Sequence, residues 1–179
     1  MNPAPQIFAV VGPSGAGKDT LIRGAIVRRP ELRLVRRVIT RPSEAGGEDY
    51  EGVSDAEFAD RLARGDFVLD WAAHGLRYGI PRHELSGSGV ILFNGSRAVL
   101  PLAASLLPGL RIIHVTAPDR ILAARLSSRG RESAADIRAR LSRAAFSMPD
   151  GIPFETVIND GSLELGVTRF LAALQPVSA

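Results

Sequence analysis

The sequence predicts an α/β domain built on a mostly parallel five-stranded sheet with helices on both faces. Two observations carry that expectation. Short apolar runs rich in β-branched residues alternate along the chain with segments of helical period, the pattern of a sheet covered by helices on both sides. The first of these runs stops in a glycine-rich stretch, and a helical segment opens directly after it. A chain of 179 residues, 45% of them hydrophobic, holds one well-buried core and is too short for two ordinary domains.

Taken in order, QIFAVVG (6–12) reads as a buried parallel strand, and KDTLIRGAIVRR (18–29) as a helix ending before Pro30. LRLVRRVIT (32–40) reads as a second strand and GVILFNG (89–95) as a third. SRAVLPLAASLL (96–107) is helical, with Pro101 as a kink or restart, and LRIIHVTA (110–117) is a fourth strand. PDRILAARLSSRG (118–130) opens on Pro118 and Asp119 and closes on Gly130, which suits a helix. ESAADIRARLSRAAFSM (132–148) reads as a further helix, FETVIND (154–160) as a last strand and SLELGVTRFLAAL (162–174) as a terminal helix. Residues 42–85 break the alternation. They hold turn residues, a short helix from Asp55 to Arg64 and two strand-like pieces, Phe67 to Trp71 and Leu76 to Ile80. This insertion in a single domain is expected to bind the acceptor substrate.

Composition removes several classes of function. There is no cysteine, so no disulfide or thiolate metal site can form, and His74, His83 and His114 lack a ligand spacing. No leader pattern opens the chain and no apolar run approaches the ~18 residues that would span a bilayer, so a cytoplasmic protein without a membrane partner is expected. The 22 basic residues face 19 acidic ones without a long basic run, which gives no reason to expect a nucleic-acid partner. Nearly every base is arginine. The single lysine of the chain, Lys18, falls in the glycine-rich loop, where phosphate chemistry favours a compact ammonium on a flexible stem.

That loop is VVGPSGAGKDT, residues 10–20. Gly12, Gly15 and Gly17 allow a tight turn that points amides inward, Pro13, Ser14 and Ala16 complete the cradle, and Lys18 reaches the β- and γ-phosphates of a nucleoside triphosphate. The G-x-x-x-x-G-K pattern is met between a strand and a helix, so a nucleoside triphosphate is the expected ligand. The usual serine or threonine after the lysine is replaced by Asp19, with Thr20 one place later. A carboxylate facing a triphosphate is repelled unless a cation intervenes, so Asp19 is expected to meet magnesium and Thr20 to donate to a phosphate. The alternative is a first-turn acid that only complements the helix dipole.

VVGPSGAGKDTL, VITRP, FVLDWAAHGLRYGIP, LSSRGRES and VINDGSLE occur in the order seen in the guanylate kinase superfamily of P-loop kinases, which the chain resembles over nearly its whole length. It departs from guanylate kinases proper at three places. Glu44 stands near the second arginine of their T-T-R-P-x-R stretch, Ile80 replaces the hydroxyl residue after Y-G, and ILFNGSRA lacks the aspartates that would accept from guanine. Lost acceptors in a buried site change specificity strongly. GPSGAGKD, ITR, NGSRA, RGRE, IRARLSRA and NDGSL resemble instead the ribose 1,5-bisphosphate phosphokinase branch, which is linked to phosphonate catabolism. That resemblance implies transfer of the ATP γ-phosphoryl group to a phosphosugar, ribose 1,5-bisphosphate, giving phosphoribosyl diphosphate (PRPP).

An anionic acceptor needs positioning and charge neutralisation more than a base, and Thr40 and Arg41 stand where small sugar kinases commonly place an aspartate. Acceptor contacts are expected from Arg41, Tyr50, Tyr78 and Arg97, with Asp70 also in the insertion. RLSSRGRES places Arg125, Arg129 and Arg131 at a helix end. Residues 126–136 are expected to form a lid in which Arg129 and Arg131, with Lys18, act in catalysis, backed by Arg140 and Arg143. Two other readings are a nucleoside monophosphate kinase of altered specificity and a non-catalytic guanylate-kinase-like binding module.

Overall fold

The computed structural model describes residues 4–45, 48–128, 133, 135, 139 and 147–175. Five strands form one parallel sheet in the order β2 (Arg33–Leu34), β7 (Val90–Asn94), β1 (Gln6–Val11), β8 (Arg111–Thr116) and β9 (Glu155–Ile158). Alternate residues of β1 explain why the sheet is covered on both faces. Phe8 and Val10 enter one apolar cluster with α1 (Lys18–Arg28), α4 (Asp119–Ser128) and α5 (Leu163–Ala173), represented by Leu21, Leu122 and Phe170. Ala9 and Val11 enter the other with α3 (Leu100–Leu106), β5 (Phe67–Ala73) and β6 (Leu76–Pro81), represented by Ala103, Leu69 and Ile80. A strand buried on both faces reads as a continuous apolar run, as QIFAVV does.

Helix α1 approaches α5 closely because both carry glycine at the crossing. A Cβ on Gly24 would stand 2.5 Å from Val167 Cγ2, and one on Gly166 2.8 Å from Leu21 Cδ2. The side chain of Ser162 caps α5 by accepting from the Leu165 amide. Pro101 lies in the first turn of α3, after a 3-10 turn over Arg97–Val99, where its missing N–H removes no helical bond. No helix among the described residues is long and apolar enough to cross a membrane. The predicted helix over 132–148 lies outside the described residues except at 133, 135, 139 and 147–148.

One strand assignment is corrected. Residues 32–40 are not a single strand: β2 ends at Leu34, and β3 (Arg37–Ile39) belongs to a second sheet in the order β4 (Tyr50–Gly52), β3, β6 and β5. The two-residue turn between β5 and β6 holds His74 at φ 54° and Gly75 at φ 73°, the positive values a tight hairpin requires. Strand β3 runs antiparallel to β6 and parallel to β4 (Tyr50–Gly52), a strand the sequence pattern did not separate from its turn-rich surroundings. Helix α2 (Asp55–Ala63) starts at the predicted Asp55, capped by Ser54, and seats Phe58 against Phe67 with ring centroids 4.8 Å apart. Arg37 of β3 donates to the carbonyl of Asn94, the last residue of β7, which faces the small sheet toward the glycine loop across one cleft.

Candidate active site

The loop between β1 and α1 is shaped from below and from the side. Gly12 has φ 148°, and a Cβ there would stand 1.9 Å from the Val115 carbonyl oxygen, so only glycine fits against β8. Gly17, at φ 88°, precedes the first helical residue, Lys18. On the outer side Asn159, buried at the end of β9, donates from Nδ2 to the Ala16 carbonyl at 2.8 Å. Arg125 Nη1 reaches the carbonyls of Gly15 and Ala16, each at 3.3 Å, and its Nη2 donates to the Asn159 carbonyl at 2.9 Å. The first amides of α1 have no helical acceptor and form the anion-binding end of the loop. Lys18 Nζ donates to the Gly12 and Pro13 carbonyls at 2.8 and 3.2 Å, which holds the ammonium over the loop.

A cleft of about 490 Å³ opens from this loop toward the small sheet. Its walls are the loop from Gly12 to Thr20 except Ala16, the strand end from Asn94 to Ala98, and Arg37, Ile39, Arg41, Glu48, Tyr78 and residues 71–74. The structure brings Lys18, Asp19, Thr20, Arg41, Tyr78 and Arg97 to one cavity. It does not bring Tyr50 there. Tyr50 is 3% exposed, its hydroxyl accepts from Arg41 Nε at 3.0 Å and donates to the Pro42 carbonyl, and the Arg41 guanidinium lies 4.4 Å from its ring. A tyrosine so placed orients Arg41. Asp70 is also off the wall, 4.0 Å from Arg77 Nη2. Arg125 braces the phosphate loop, while Arg129, Arg131, Arg140 and Arg143 lie outside the described residues, as does most of the predicted lid over 126–136.

Three residues that sequence reasoning passed over, Arg37, Glu48 and Asn94, tie the cleft together. Arg37 is only 6% exposed. Its Nε and Nη2 donate to the two Glu48 oxygens, its Nη1 donates to the Asn94 carbonyl at 2.7 Å, and its guanidinium lies 5.1 Å from the Tyr78 ring. Tyr78 in turn stacks on Trp71 with centroids 5.3 Å apart. The third, Asn94, donates from Nδ2 to Asp19 Oδ1 at 2.6 Å. The signal was present: Arg36 and Arg37 are adjacent in an apolar strand, and alternation must turn one of them inward.

Burial pushes the Tyr78 hydroxyl above its usual pKa, against the pull of Arg37 and Arg41. Burial lowers the pKa of Arg97, which stays charged. The His114 imidazole is held below its ordinary pKa, first by burial and then by Arg97 and Lys18. Its Nε2 is buried with no hydrogen-bond partner among the described residues, and its ring meets Phe154 edge-on at 5.9 Å. A neutral ring suits that place beside two cations.

A phosphate loop at the carboxyl edge of a parallel five-stranded sheet, facing Arg37 and Arg41 of a small second sheet across one cleft, defines a P-loop kinase. The fold is similar to that of guanylate kinase from Anaplasma phagocytophilum, with a TM-score of 0.63 over 97% of this chain and 89% of that one at 16% identity. No family model matches the sequence. It is 49% identical over 173 residues to ribose 1,5-bisphosphate phosphokinase of Ruegeria sp., covering 94% of this chain and 91% of that protein. It is 48% identical over 181 residues to the bifunctional ribose 1,5-bisphosphokinase-thymidine phosphorylase of Cupriavidus pinatubonensis, covering 98% of this chain. The chain spans 30% of the length of that bifunctional protein. The chain belongs to the ribose 1,5-bisphosphate phosphokinase family.

Proposed function

We propose that this chain transfers the γ-phosphoryl group of ATP to the 1-phosphate of ribose 1,5-bisphosphate, giving phosphoribosyl diphosphate and ADP. The observation that carries this is the cleft itself. It joins a phosphate loop to Arg41 and Arg97, and the carboxylates on its described walls, Asp19 and Glu48, are engaged by Asn94 and Arg37. A hydroxyl acceptor would call for a base, whereas a phosphate oxygen is already anionic and attacks once aligned. In the transfer, an oxygen of the 1-phosphate bonds to the γ-phosphorus while the bond to the β–γ bridging oxygen breaks, and the electron pair leaves with ADP.

Within that reaction Lys18 and the first amides of α1 neutralise the β- and γ-phosphates. Arg41, fixed by Tyr50, and half-buried Arg97 hold the sugar phosphates, with Tyr78 on the adjoining wall. The residues fit a magnesium ion carried by the nucleotide. No three His, Cys, Asp or Glu groups among the described residues gather around a metal, and nucleotide-bound magnesium rests on one or two carboxylates with phosphates and water. Asp19 would hold it while Thr20 donates to a phosphate, and its charge would offset that of the transferred group. Arg129 and Arg131 are proposed to close over ATP, and the cytoplasm, where ATP is supplied, is the proposed location. Phosphonate catabolism is the setting proposed for this activity.

The test is ADP release by purified protein with MgATP and equal concentrations of ribose 1,5-bisphosphate, ribose 5-phosphate and GMP, with products read by phosphorus NMR. A diphosphate at C1 of the sugar is expected. A higher kcat/KM for GMP would make the chain a nucleoside monophosphate kinase, and no turnover with any acceptor would favour a binding module.

A further inference from the structure

At the phosphate end of the cleft, side chains from two elements meet. Asn94, the last residue of β7, donates its amide to Asp19 in the first turn of α1 at 2.6 Å. In most phosphate-loop sites the helix offers a serine or threonine hydroxyl, a neighbouring strand end offers the carboxylate, and together they hold magnesium. Here the polarity is exchanged: the helix carries the carboxylate and the strand end carries a neutral amide. The pair still holds one negative charge.

The amide is well placed to aim that charge. Asn94 is 8% exposed, while Asp19 is exposed to the cleft. Its backbone carbonyl accepts from Arg37, which Glu48 clamps from the other side, so the backbone carrying the amide is held. One Asp19 oxygen is bound by Asn94, and the other has no donor among the described residues. A ligating carboxylate whose far oxygen is held by a hydrogen-bond donor is the usual outer-shell arrangement around a metal.

We infer that Asp19 and Asn94 are an exchanged metal-holding pair: Asp19 ligates the divalent cation of the nucleotide, and Asn94 is the positioning residue that aims it. This rests on the ATP-binding reading of the loop. Because the two side chains are in contact and nearly equal in shape, the pair can be swapped between positions. A carboxylate at 94 bonded to an amide at 19 keeps the charge, the hydrogen bond and the volume. Either single change alters the charge.

The experiment compares Asp19→Asn, Asn94→Asp and the double swap with the parent. It measures Mn2+ bound in the presence of β,γ-imido-ATP by electron paramagnetic resonance, the affinity for that nucleotide without metal, and the melting temperature. Asp19→Asn is expected to weaken Mn2+ binding about tenfold or more. Asn94→Asp adds a second carboxylate and is expected to weaken metal-free nucleotide binding. The double swap is expected to recover most of the lost Mn2+ affinity, which a purely structural hydrogen bond would not do. Unchanged Mn2+ affinity in Asp19→Asn would overturn the ligand role. A loss that the folded double swap does not recover would overturn the exchange. Failure of the parent to bind the nucleotide at all would instead overturn the ATP-binding reading on which both depend.

Discussion

Replacing Arg37 by methionine tests whether the charge under the cleft is held as the contacts indicate. The substitution keeps much of the aliphatic volume and removes the donors to Glu48 and to the Asn94 carbonyl. Side-chain exposures of 8% for Arg37 and 17% for Glu48 place the pair where solvent does not compensate a lost partner. Breaking a buried pair from one side costs about 3–5 kcal/mol, which includes the carbonyl bond to a charged donor, worth about 1.5–3 kcal/mol by itself. The cation–π contact with Tyr78 adds under about 1 kcal/mol, part of which a thioether on the same ring restores. A net loss of about 4 kcal/mol lowers the melting temperature of a chain this long by roughly 8–16 °C. Urea titration and thermal unfolding of Arg37→Met, Glu48→Leu and the double variant make a complete cycle. The double is expected to be less destabilised than either single, because replacing both charges leaves none uncompensated. An Arg37→Met variant within about 1 kcal/mol of the parent, or singles that add to the double within about 0.5 kcal/mol, would refute the buried-pair reasoning.

Three further outcomes are expected. Lys18→Ala leaves the melting curve near that of the parent and lowers turnover at saturating MgATP by about 10³-fold, and a near-normal rate would remove the loop from catalysis. Gly12→Ala meets both φ 148° and the Val115 carbonyl, so the loop must part from β8. Nucleotide affinity and melting temperature are both expected to fall, and unchanged values in calorimetry would contradict the close approach. His114 titrates from a usual value of 6.5 in the unfolded chain and lower in the folded one, so the unfolded state binds the extra proton first. Its stabilising contribution is full above about 6.5 and is lost as pH falls from there through the folded value. His114→Gln should flatten stability against pH in that window, and an unchanged slope in urea titrations would show that the imidazole does not carry it.

Local signals made much of this protein legible. The phosphate loop was readable because its requirements are local: glycines for the turn, one lysine, and a strand and helix of the correct period on either side. The five-stranded sheet and the helices flanking it were readable for the same reason, since burial on both faces imposes continuous apolar runs and helical burial imposes a 3.6-residue period. Arg41 and Arg97 could be expected at the cleft because ligands of parallel sheets gather at the carboxyl ends of strands, and Tyr78 because the insertion was read as the acceptor site.

The division of 32–40 between two sheets was not legible, because β2 and β3 have the same alternation and only their partners differ. Tyr50 illustrates the same limit: a tyrosine in a substrate-binding insertion can face a ligand or orient the residue that does, and the direction of its side chain depends on β3 and β4 pairing in parallel.

The sequence by itself determined the local pieces: a glycine loop with the one lysine between a strand and a helix, and the apolar runs and helical periods of an α/β core. Only the tertiary structure decided how the charges are shared. It joined Glu48, Arg37, Asn94 and Asp19 in one chain of contacts running from the small sheet to the phosphate loop. It also turned Arg125 toward the loop carbonyls and left His114 neutral beside two cations. The reason is distance along the chain. Period and turn chemistry act over a few residues, whereas Asn94 and Asp19 are 75 residues apart and meet only because β7 and β1 pair in parallel and end at the same edge.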